Sequence, residues 1–270
     1  MTFIKGKLVN SGIIISLGTM VVLFHFSAFS ETMNPLPSSG KVELTLGASG
    51  KMPTTIYVPE GTGIKPLILV IHSSGGLRGA DHKYAKALTK EGYISIVPDF
   101  FTAFNISTRT KRLTWTEYRD DIHKDFTTII SQVKSMSNPP SKKVFGVGFS
   151  NGGYWAAVLA SRGDIDAGIS YYGAYTEAGT VRRNELEDGS ILYNAGSNSA
   201  PLLIFHGTDD NTVGLESAEA FEALYGNVDA YYYDDVEHSF NVKFLIDVYN
   251  EEAAKDSWEK TLEFLKEHSE

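Results

Sequence analysis

Short runs of consecutive apolar residues alternate along this chain with segments whose apolar residues recur every three or four positions. A continuous apolar run is typical of a strand buried on both faces, and the second spacing is typical of a helix with one buried side. Six runs and two alternating segments predict strands, at Val42–Leu46, Thr54–Val58, Leu67–Ile71, Tyr93–Val97, Val144–Val147, Ala167–Tyr171, Leu202–Phe205 and Ala230–Tyr233. The alternation predicts an α/β fold, with a mostly parallel central sheet and helices on both faces.

Helical spacing occurs in five segments, Asp81–Glu91, Trp115–Val133, Tyr154–Ala160, Ser217–Tyr225 and Glu252–His268. Residues 31–40 contain two prolines, two serines and a glycine, a composition typical of a linker. No further boundary interrupts the pattern, so residues 41–270 are predicted to form one domain. Residues 174–200 are its longest polar insertion.

The first 30 residues differ in character from the rest of the chain. They contain two lysines and no acidic residue, followed by the apolar stretch Ile13–Phe24 and then by Ala28-Phe29-Ser30. A basic start, an apolar centre and small residues at the −3 and −1 positions predict a secretory signal peptide that is cleaved after Ser30. The alternative is an uncleaved membrane anchor. Both interpretations predict an exported domain, periplasmic or secreted, that meets a membrane at most through this segment.

The composition argues against several classes of function. Lysine and arginine total 24 against 33 aspartates and glutamates, which gives a formal net charge of −9. An acidic chain without a basic run gives no electrostatic reason to expect a nucleic acid partner. Cysteine is absent, which excludes disulfides, thiolate zinc sites and a cysteine nucleophile.

A serine lies between the buried run Val144–Val147 and the helix that follows it. The local sequence is Gly148-Phe149-Ser150-Asn151-Gly152, with a glycine two residues away on each side of the serine. A sharp strand-to-helix turn with this pattern strains the serine backbone and exposes its hydroxyl above the sheet, at a helix amino terminus that favours negative charge. Ser150 is therefore the predicted nucleophile. The alternative is a tight turn whose serine caps the helix.

An acid and a histidine follow later strands of the predicted sheet. The segment His206-Gly207-Thr208-Asp209-Asp210 follows one buried run, and its H-G-x-x-D form favours Asp210 over Asp209 as the acid. His238 follows the last predicted strand. The order serine, aspartate, histidine is that of α/β hydrolases, in which the imidazole takes the serine proton and the aspartate fixes its tautomer. His206 itself is predicted to be structural, because the glycine beside it is what the turn requires. The alternatives to the triad are an ordinary acidic turn that caps the next helix and a surface histidine.

Small residues form the loop that follows Leu67–Ile71, with the sequence His72-Ser73-Ser74-Gly75-Gly76. Such a loop leaves backbone N–H groups free to point at a carbonyl oxygen and to form an oxyanion hole. The predicted donors are the N–H groups of Asn151 and of Ser74, with Ser73 or Gly75 as alternatives to the latter. A phosphate-binding loop is less consistent with the sequence, because no G-x-G-x-x-G pattern and no Walker lysine occur.

Together these segments resemble the dienelactone hydrolase-like branch of the α/β hydrolases. The resemblance covers nearly all of residues 66–240 and is carried by His72 to Gly76, Gly92-Tyr93 through Pro98-Asp99-Phe100, Gly148 to Gly153, His206 to Asp210, and His238-Ser239-Phe240. It implies an α/β-hydrolase fold without a metal or organic cofactor. It also implies hydrolysis of a small-molecule ester or lactone through an acyl-enzyme.

Two departures distinguish the chain from dienelactone hydrolase itself. That enzyme uses a cysteine nucleophile where this chain has Ser150, and it holds a substrate carboxylate with arginines after the Pro-Asp segment and just past the histidine. The corresponding segments here, Pro98 to Ala103 and His238 to Val242, contain no arginine. The sequence therefore favours a general serine esterase that prefers neutral, short-chain esters. Three arginines could still reach the site through the fold: Arg78, Arg109 and Arg112.

Three other functions compete with this interpretation. A serine peptidase of the prolyl-oligopeptidase type shares the triad, but it usually needs a propeller or lid domain, and no segment here fits one. A non-catalytic binding protein on the same fold has no need of all three triad residues. A metallohydrolase built on His72, His206 and His238 is less consistent, because no pair of these residues has helical metal-ligand spacing.

Overall fold

The computed structural model describes residues 34–175 and 199–269. The predicted signal peptide or anchor and most of the polar insertion at 174–200 therefore lie outside the described residues. Within the predicted linker, the Leu36 N–H donates to Met136 O at 2.9 Å, and the Leu36 side chain packs against the core. Among the helices of the described residues, none combines the length and the apolar character that a membrane span requires.

The described strands form one eight-stranded sheet. They are β1 (Gly40–Leu46), β2 (Met52–Val58), β3 (Leu67–Ile71), β4 (Ile94–Pro98), β5 (Val144–Phe149), β6 (Ala167–Tyr171), β7 (Leu202–Gly207) and β8 (Val228–Tyr233). Their order across the sheet is β1-β2-β4-β3-β5-β6-β7-β8. The pairs β1–β2 and β2–β4 are antiparallel and all the others are parallel. The predicted mostly parallel sheet is confirmed.

Helices cover both faces of this sheet, as predicted. They are α1 (Gly79–Lys90), α2 (Phe100–Ala103), α3 (Arg119–Met136), α4 (Asn151–Ser161), α5 (Leu215–Tyr225) and α6 (Glu251–Glu267), with a short 3₁₀ helix at Lys111–Thr114. Side chains of α3, α4 and α5 belong to one hydrophobic cluster. Side chains of α1 and α6 belong to a second cluster on the other face.

Strand β3 shows why an uninterrupted apolar run marks a central strand. Leu67, Leu69 and Ile71 pack into the first cluster, while Ile68 and Val70 pack into the second. All five side chains are 0% exposed. Successive side chains of a strand point to opposite faces, so a strand covered on both sides has no position left for a polar residue.

The helix predicted from Trp115 begins later, at Arg119. Hydroxyl groups in the preceding segment bond to backbone carbonyls instead, since Thr114 Oγ1 donates to Lys111 O at 2.6 Å and Thr116 Oγ1 donates to Arg112 O at 3.0 Å. Such local bonds compete with regular helix formation. The 3₁₀ helix Lys111–Thr114 and a turn at residues 115–118 therefore lead into α3, although the apolar spacing continues through them.

Candidate active site

Ser150 lies at the junction between β5 and α4, with φ 54° and ψ −112°. Its hydroxyl does not cap the helix. Glycines on both sides are required by close packing: a Cβ on Gly148 would lie 1.9 Å from Gly152 O, and a Cβ on Gly152 would lie 2.0 Å from Ile71 O. Only residues without a side chain fit there, so the chain can turn sharply and present the serine at the strand end.

Asp210 and His238 are in direct contact. Asp210 Oδ2 lies 2.6 Å from His238 Nδ1. The other carboxylate oxygen, Oδ1, accepts the backbone N–H groups of Thr212 at 2.9 Å and of Val213 at 2.8 Å. Asp210 is buried whereas Asp209 is exposed. The structure thus joins Asp210, and not its neighbour, to the histidine.

The charge state of this pair follows from its contacts. Burial alone would raise the pKa of the Asp210 carboxyl, but the hydrogen bond and charge of His238, together with the Val213 N–H, hold that pKa below its ordinary value. An ionised carboxylate can only accept hydrogen bonds, so the proton between the two residues belongs to His238 Nδ1. This tautomer leaves a lone pair on His238 Nε2, which can accept a proton.

Ser150 lies at the same edge of the sheet as this pair. Its backbone N–H donates to Tyr171 O at 2.9 Å, and the ring of Tyr172 lies 4.6 Å from the ring of His238. Among the described residues, no hydrogen bond joins Ser150 Oγ to His238. Catalytic hydrogen bonds are often long without substrate and tighten when it binds.

The loop after β3 has the form expected of an oxyanion hole. His72 Nδ1 donates to Ser73 O at 2.8 Å, and the Gly75 N–H donates to Ser73 Oγ at 3.1 Å. The N–H groups of Ser73, Ser74 and Asn151 have no acceptor within the part of the chain that the structure describes. Of the two alternatives to Ser74, the Gly75 N–H is thus occupied inside the loop, whereas the Ser73 N–H remains a candidate donor.

A cavity of about 90 Å³ opens beside these groups. Four of its wall residues tie it to the site: Ser73 of the loop after β3, Phe149 next to the serine, Tyr172 against His238, and Ser239. An adjoining groove of about 550 Å³ has several wall residues in common with the cavity, namely Ala80, Tyr84, Asn241, Val242 and Phe244. The wall of the groove also contains Trp258 and Tyr249, so an apolar group that leaves the cavity meets aromatic side chains.

Two charged residues at the start of α1 line the cavity. The Arg78 backbone N–H donates to Asp81 Oδ2 at 2.7 Å, and Arg78 Nε donates to Gly75 O at 3.3 Å. Burial raises the pKa of the Asp81 carboxyl to about 6. Of the three arginines noted in the sequence, Arg78 lines this cavity, whereas Arg109 and Arg112 are exposed and are not part of its wall.

Tyr172 and Asp81 were not predicted from the sequence as residues of this site. Tyr172 directly follows β6, and the carboxyl ends of parallel strands are where such sites lie, so its position was the available signal. Asp81 lies in the first turn of a helix, where an acid is common for capping alone. Among residues 34–175 and 199–269, no group of three or more His, Asp or Glu side chains could hold a metal ion.

A sequence model of the dienelactone hydrolase family matches residues 52–269. The chain belongs to the dienelactone hydrolase family. The family match includes every strand from β2 onward and all of the residues predicted for the site. The sequence resemblance to this family is thus confirmed.

Individual relatives are distant in sequence but similar in extent. A protein of Synechocystis sp., provisionally named a carboxymethylenebutenolidase, is 24% identical over 220 residues, which are 75% of this chain and 86% of the relative. The solved structure of P91, a dienelactone hydrolase-like promiscuous phosphotriesterase from metagenomic libraries, has a TM-score of 0.67 at 18% identity and covers 86% of this chain and 99% of that one. Esterase 2 of Thermogutta terrifontis has a TM-score of 0.59 at 17% identity and covers 86% and 92%. These structures share the fold of the family.

Proposed function

We propose that this protein is a serine hydrolase that cleaves a carboxylic ester or lactone through an acyl-enzyme. Ser150 is the nucleophile, His238 the general base and acid, and Asp210 the residue that orients the imidazole. The observation that carries the proposal is the 2.6 Å contact between Asp210 and His238 at the same sheet edge as a strained serine elbow. Family membership supports the reaction class.

Acylation begins when Ser150 Oγ attacks the carbonyl carbon of the substrate while His238 Nε2 takes the hydroxyl proton. The carbonyl oxygen becomes an oxyanion, and the N–H groups of Ser74 and Asn151 would stabilise it. The tetrahedral intermediate collapses when the bond to the leaving oxygen breaks, and His238 Nε2 delivers its proton to that oxygen. Asp210 remains ionised throughout and stabilises the transient imidazolium.

Deacylation repeats these steps with water as the nucleophile. His238 Nε2 takes a proton from water as its oxygen attacks the acyl carbon, and then returns a proton to Ser150 Oγ as the ester bond to the serine breaks. The products are a carboxylic acid and the regenerated serine. In a lactone, the alcohol and the acid remain parts of one molecule.

The cavity gives limits for the substrate. The cavity of about 90 Å³, whose wall contains Phe149 and Tyr172 but not Ser150 itself, holds a small group, and the aromatic groove next to it can accept a longer apolar one. Arg78 and Asp81 oppose each other in charge, so the cavity has no uncompensated charge while both are ionised. We therefore propose neutral esters as the preferred substrates near neutral pH. The groove provides room for acyl groups longer than the short ones that the sequence predicted as preferred.

Covalent labelling with a fluorophosphonate tests the proposal. One neighbour in fold, the esterase of Thermogutta terrifontis, is described as phosphorylated by paraoxon. Labelling of this chain should occur at Ser150, and Ser150→Ala should abolish it and lower turnover of a nitrophenyl ester about 10⁴-fold or more, because the nucleophile is lost.

Ser161→Ala is the matched control for that experiment. Ser161 is a buried serine at the other end of α4, and its hydroxyl donates to Val158 O at 2.8 Å. This variant should label and turn over at the wild-type rate. Labelling of folded Ser150→Ala at the wild-type level would show that another residue is the nucleophile.

A further inference from the structure

His206 lies next to the end of β7 and its side chain is 0% exposed. Its Nε2 is 2.9 Å from Val213 O and 3.4 Å from Asp210 Oδ2. The same carboxylate oxygen contacts His238 Nδ1 at 2.6 Å. Two imidazoles therefore approach one oxygen of Asp210, one of them from inside the protein.

The position of the proton on His206 follows from its neighbours. A carbonyl oxygen can only accept a hydrogen bond, so Nε2 must carry the proton that reaches Val213 O. Burial lowers the pKa of the His206 imidazole, which keeps the ring neutral. Within the described residues, His206 Nδ1 has no hydrogen-bond partner. The ring is held by its Nε2–H alone.

This N–H closes a ring of contacts around Asp210. Val213 O accepts from His206, and the Val213 N–H donates to Asp210 Oδ1 at 2.8 Å. The turn that surrounds the carboxylate is thus fastened to β7 at its far end. A shift of Val213 would change the position of the carboxylate, which would change its alignment with His238.

We propose that His206 is a positioning residue for the reaction, although its place in the turn predicted a structural role. Its Nε2–H holds the turn around Asp210 and lies beside Oδ2, so it reduces the negative charge that His238 experiences. Loss of this N–H would leave more negative charge facing the imidazole of His238. The inference depends on the proposed triad.

Other ionisable groups surround this cluster and must be considered in a pH profile. Glu216 faces His206 from α5, and Tyr172 on the cavity side is affected by the charges of Asp210 and Asp81. Glu237 accepts a hydrogen bond from Asn211 Nδ2 at 2.8 Å. A substitution at His206 leaves all of these groups in place, so a change in the profile reports the loss of its N–H.

The test compares His206→Leu with His206→Gln, whose amide retains a donor. We expect His206→Leu to lower kcat about tenfold with little change in KM, because one hydrogen bond near the acid is lost. The acid limb of kcat/KM should move to higher pH by about half a pH unit, because Asp210 Oδ2 is then no longer shared between two imidazoles. His206→Gln should restore both values towards wild type.

His123→Leu is the matched control, since His123 Nε2 also contacts an aspartate, Asp164, at 2.7 Å. Asp164 follows the end of α4 that is remote from Ser150. This variant should leave kcat and the acid limb unchanged. A shift of the acid limb in His123→Leu equal to that in His206→Leu would overturn the proposal, because the shift would then not depend on Asp210.

If kcat of His206→Leu falls while the acid limb does not move, His206 serves the fold alone and the proposal is overturned. A His206→Gln variant that behaves like His206→Leu would also overturn it. If His206→Leu does not fold, ¹⁵N NMR of the wild-type protein provides the test. We expect the Nε2–H tautomer of His206, with a ring ¹⁵N resonance that shifts over the same pH range as the acid limb. An Nδ1–H tautomer, or a resonance that does not shift in that range, would refute the proposal. Retained turnover in Ser150→Ala would instead refute the proposed function.

Discussion

Three residues at the site, Ser150, Tyr172 and Ser239, have positive backbone φ angles of 54°, 40° and 64°. Each such conformation costs about 1–3 kcal/mol and persists only where the surroundings hold it. The Ser150 N–H is bonded to Tyr171 O, the Tyr172 N–H to Phe205 O at 2.7 Å, and the Tyr172 hydroxyl to Asn241 Oδ1 at 2.8 Å. The strain is therefore balanced by neighbouring strands, and the serine and the ring beside His238 are held in place before a substrate arrives.

We expect the substrate preference to depend on pH because of the Asp81 carboxyl. Burial raises the pKa of its carboxyl to about 6, so the group is ionised at pH 7 and neutral at pH 5. Below pH 6 the positive charge of Arg78 is no longer compensated inside the cavity. The kcat/KM of an ester that carries a sulfonate, divided by that of its neutral analogue, should therefore rise as the pH falls from 7 to 5. The ratio cancels any pH dependence of the steps that the two esters share.

Asp81→Asn is the control for this pH dependence. The asparagine oxygen can still accept the Arg78 backbone N–H, so the start of α1 keeps its cap. The ratio of the two kcat/KM values should then be independent of pH and should stay near its wild-type value at pH 5. A ratio that still rose with acidity in Asp81→Asn would assign the effect to another group.

The turn after β7 contains two adjacent acids, and one substitution in each shows which of them acts in the triad. Asp210→Asn keeps an oxygen for the Thr212 and Val213 N–H groups but places an NH₂ group opposite His238 Nδ1. Two donors cannot bond, so His238 must move its proton to Nε2, where it can no longer act as a base. Turnover should fall about 10⁴-fold without loss of the fold. Steady-state kinetics with circular dichroism measures both.

Asp209→Asn is the counterpart of that variant in the same turn. Asp209 is exposed and, among the described residues, makes no side-chain contact with His238. We expect this variant to keep nearly all of its turnover. A larger loss of turnover in Asp209→Asn than in Asp210→Asn would show that Asp209, and not Asp210, is the triad acid.

Strand bounds could be predicted from the sequence more closely than the start of a helix. The bounds of all eight strands were predicted to within two residues, and those of β3 and β6 agree at both ends, because burial on both faces leaves a continuous apolar run in the sequence. The start of α3 was predicted four residues early, at Trp115, because apolar spacing does not reveal which hydroxyl groups bond to the backbone. Helix α2 has four residues, too few to show a period, and it was not predicted.

The site was predictable where a motif carries its geometry within a few residues. Ser150 and Asp210 stand in such motifs, and His238 follows from its place after the last strand. His206 was predicted to be structural, and its contacts with Asp210 and Val213 do lie within one turn. Tyr172 was not assigned a role, because what it contacts depends on which strands become neighbours. Tyr172 meets His238 only because β6 and β8 flank β7, and no local pattern in the sequence encodes that order.

At the scale of the whole molecule, the parallel part of the sheet explains how distant segments form one site. β3, β5, β6, β7 and β8 run in the same direction and lie side by side. Ser74, Ser150, Tyr172, Asp210 and His238 each follow the carboxyl end of one of these strands. The crevice at that edge is where open α/β sheets bind ligands. The position of the candidate site is therefore a consequence of the topology.

Residues 1–30, which lie outside the described structure, concern the cellular location of the protein. We propose that they are a signal peptide, because two lysines precede an apolar stretch that ends at Ala28-Phe29-Ser30. Cleavage after Ser30 removes none of the residues proposed for the site, so the exported protein should be fully active. Amino-terminal sequencing of the protein from its natural host should give Glu31 as the first residue. An intact Met1 in the membrane fraction would indicate an anchor, and an intact Met1 in the cytoplasmic fraction would contradict export.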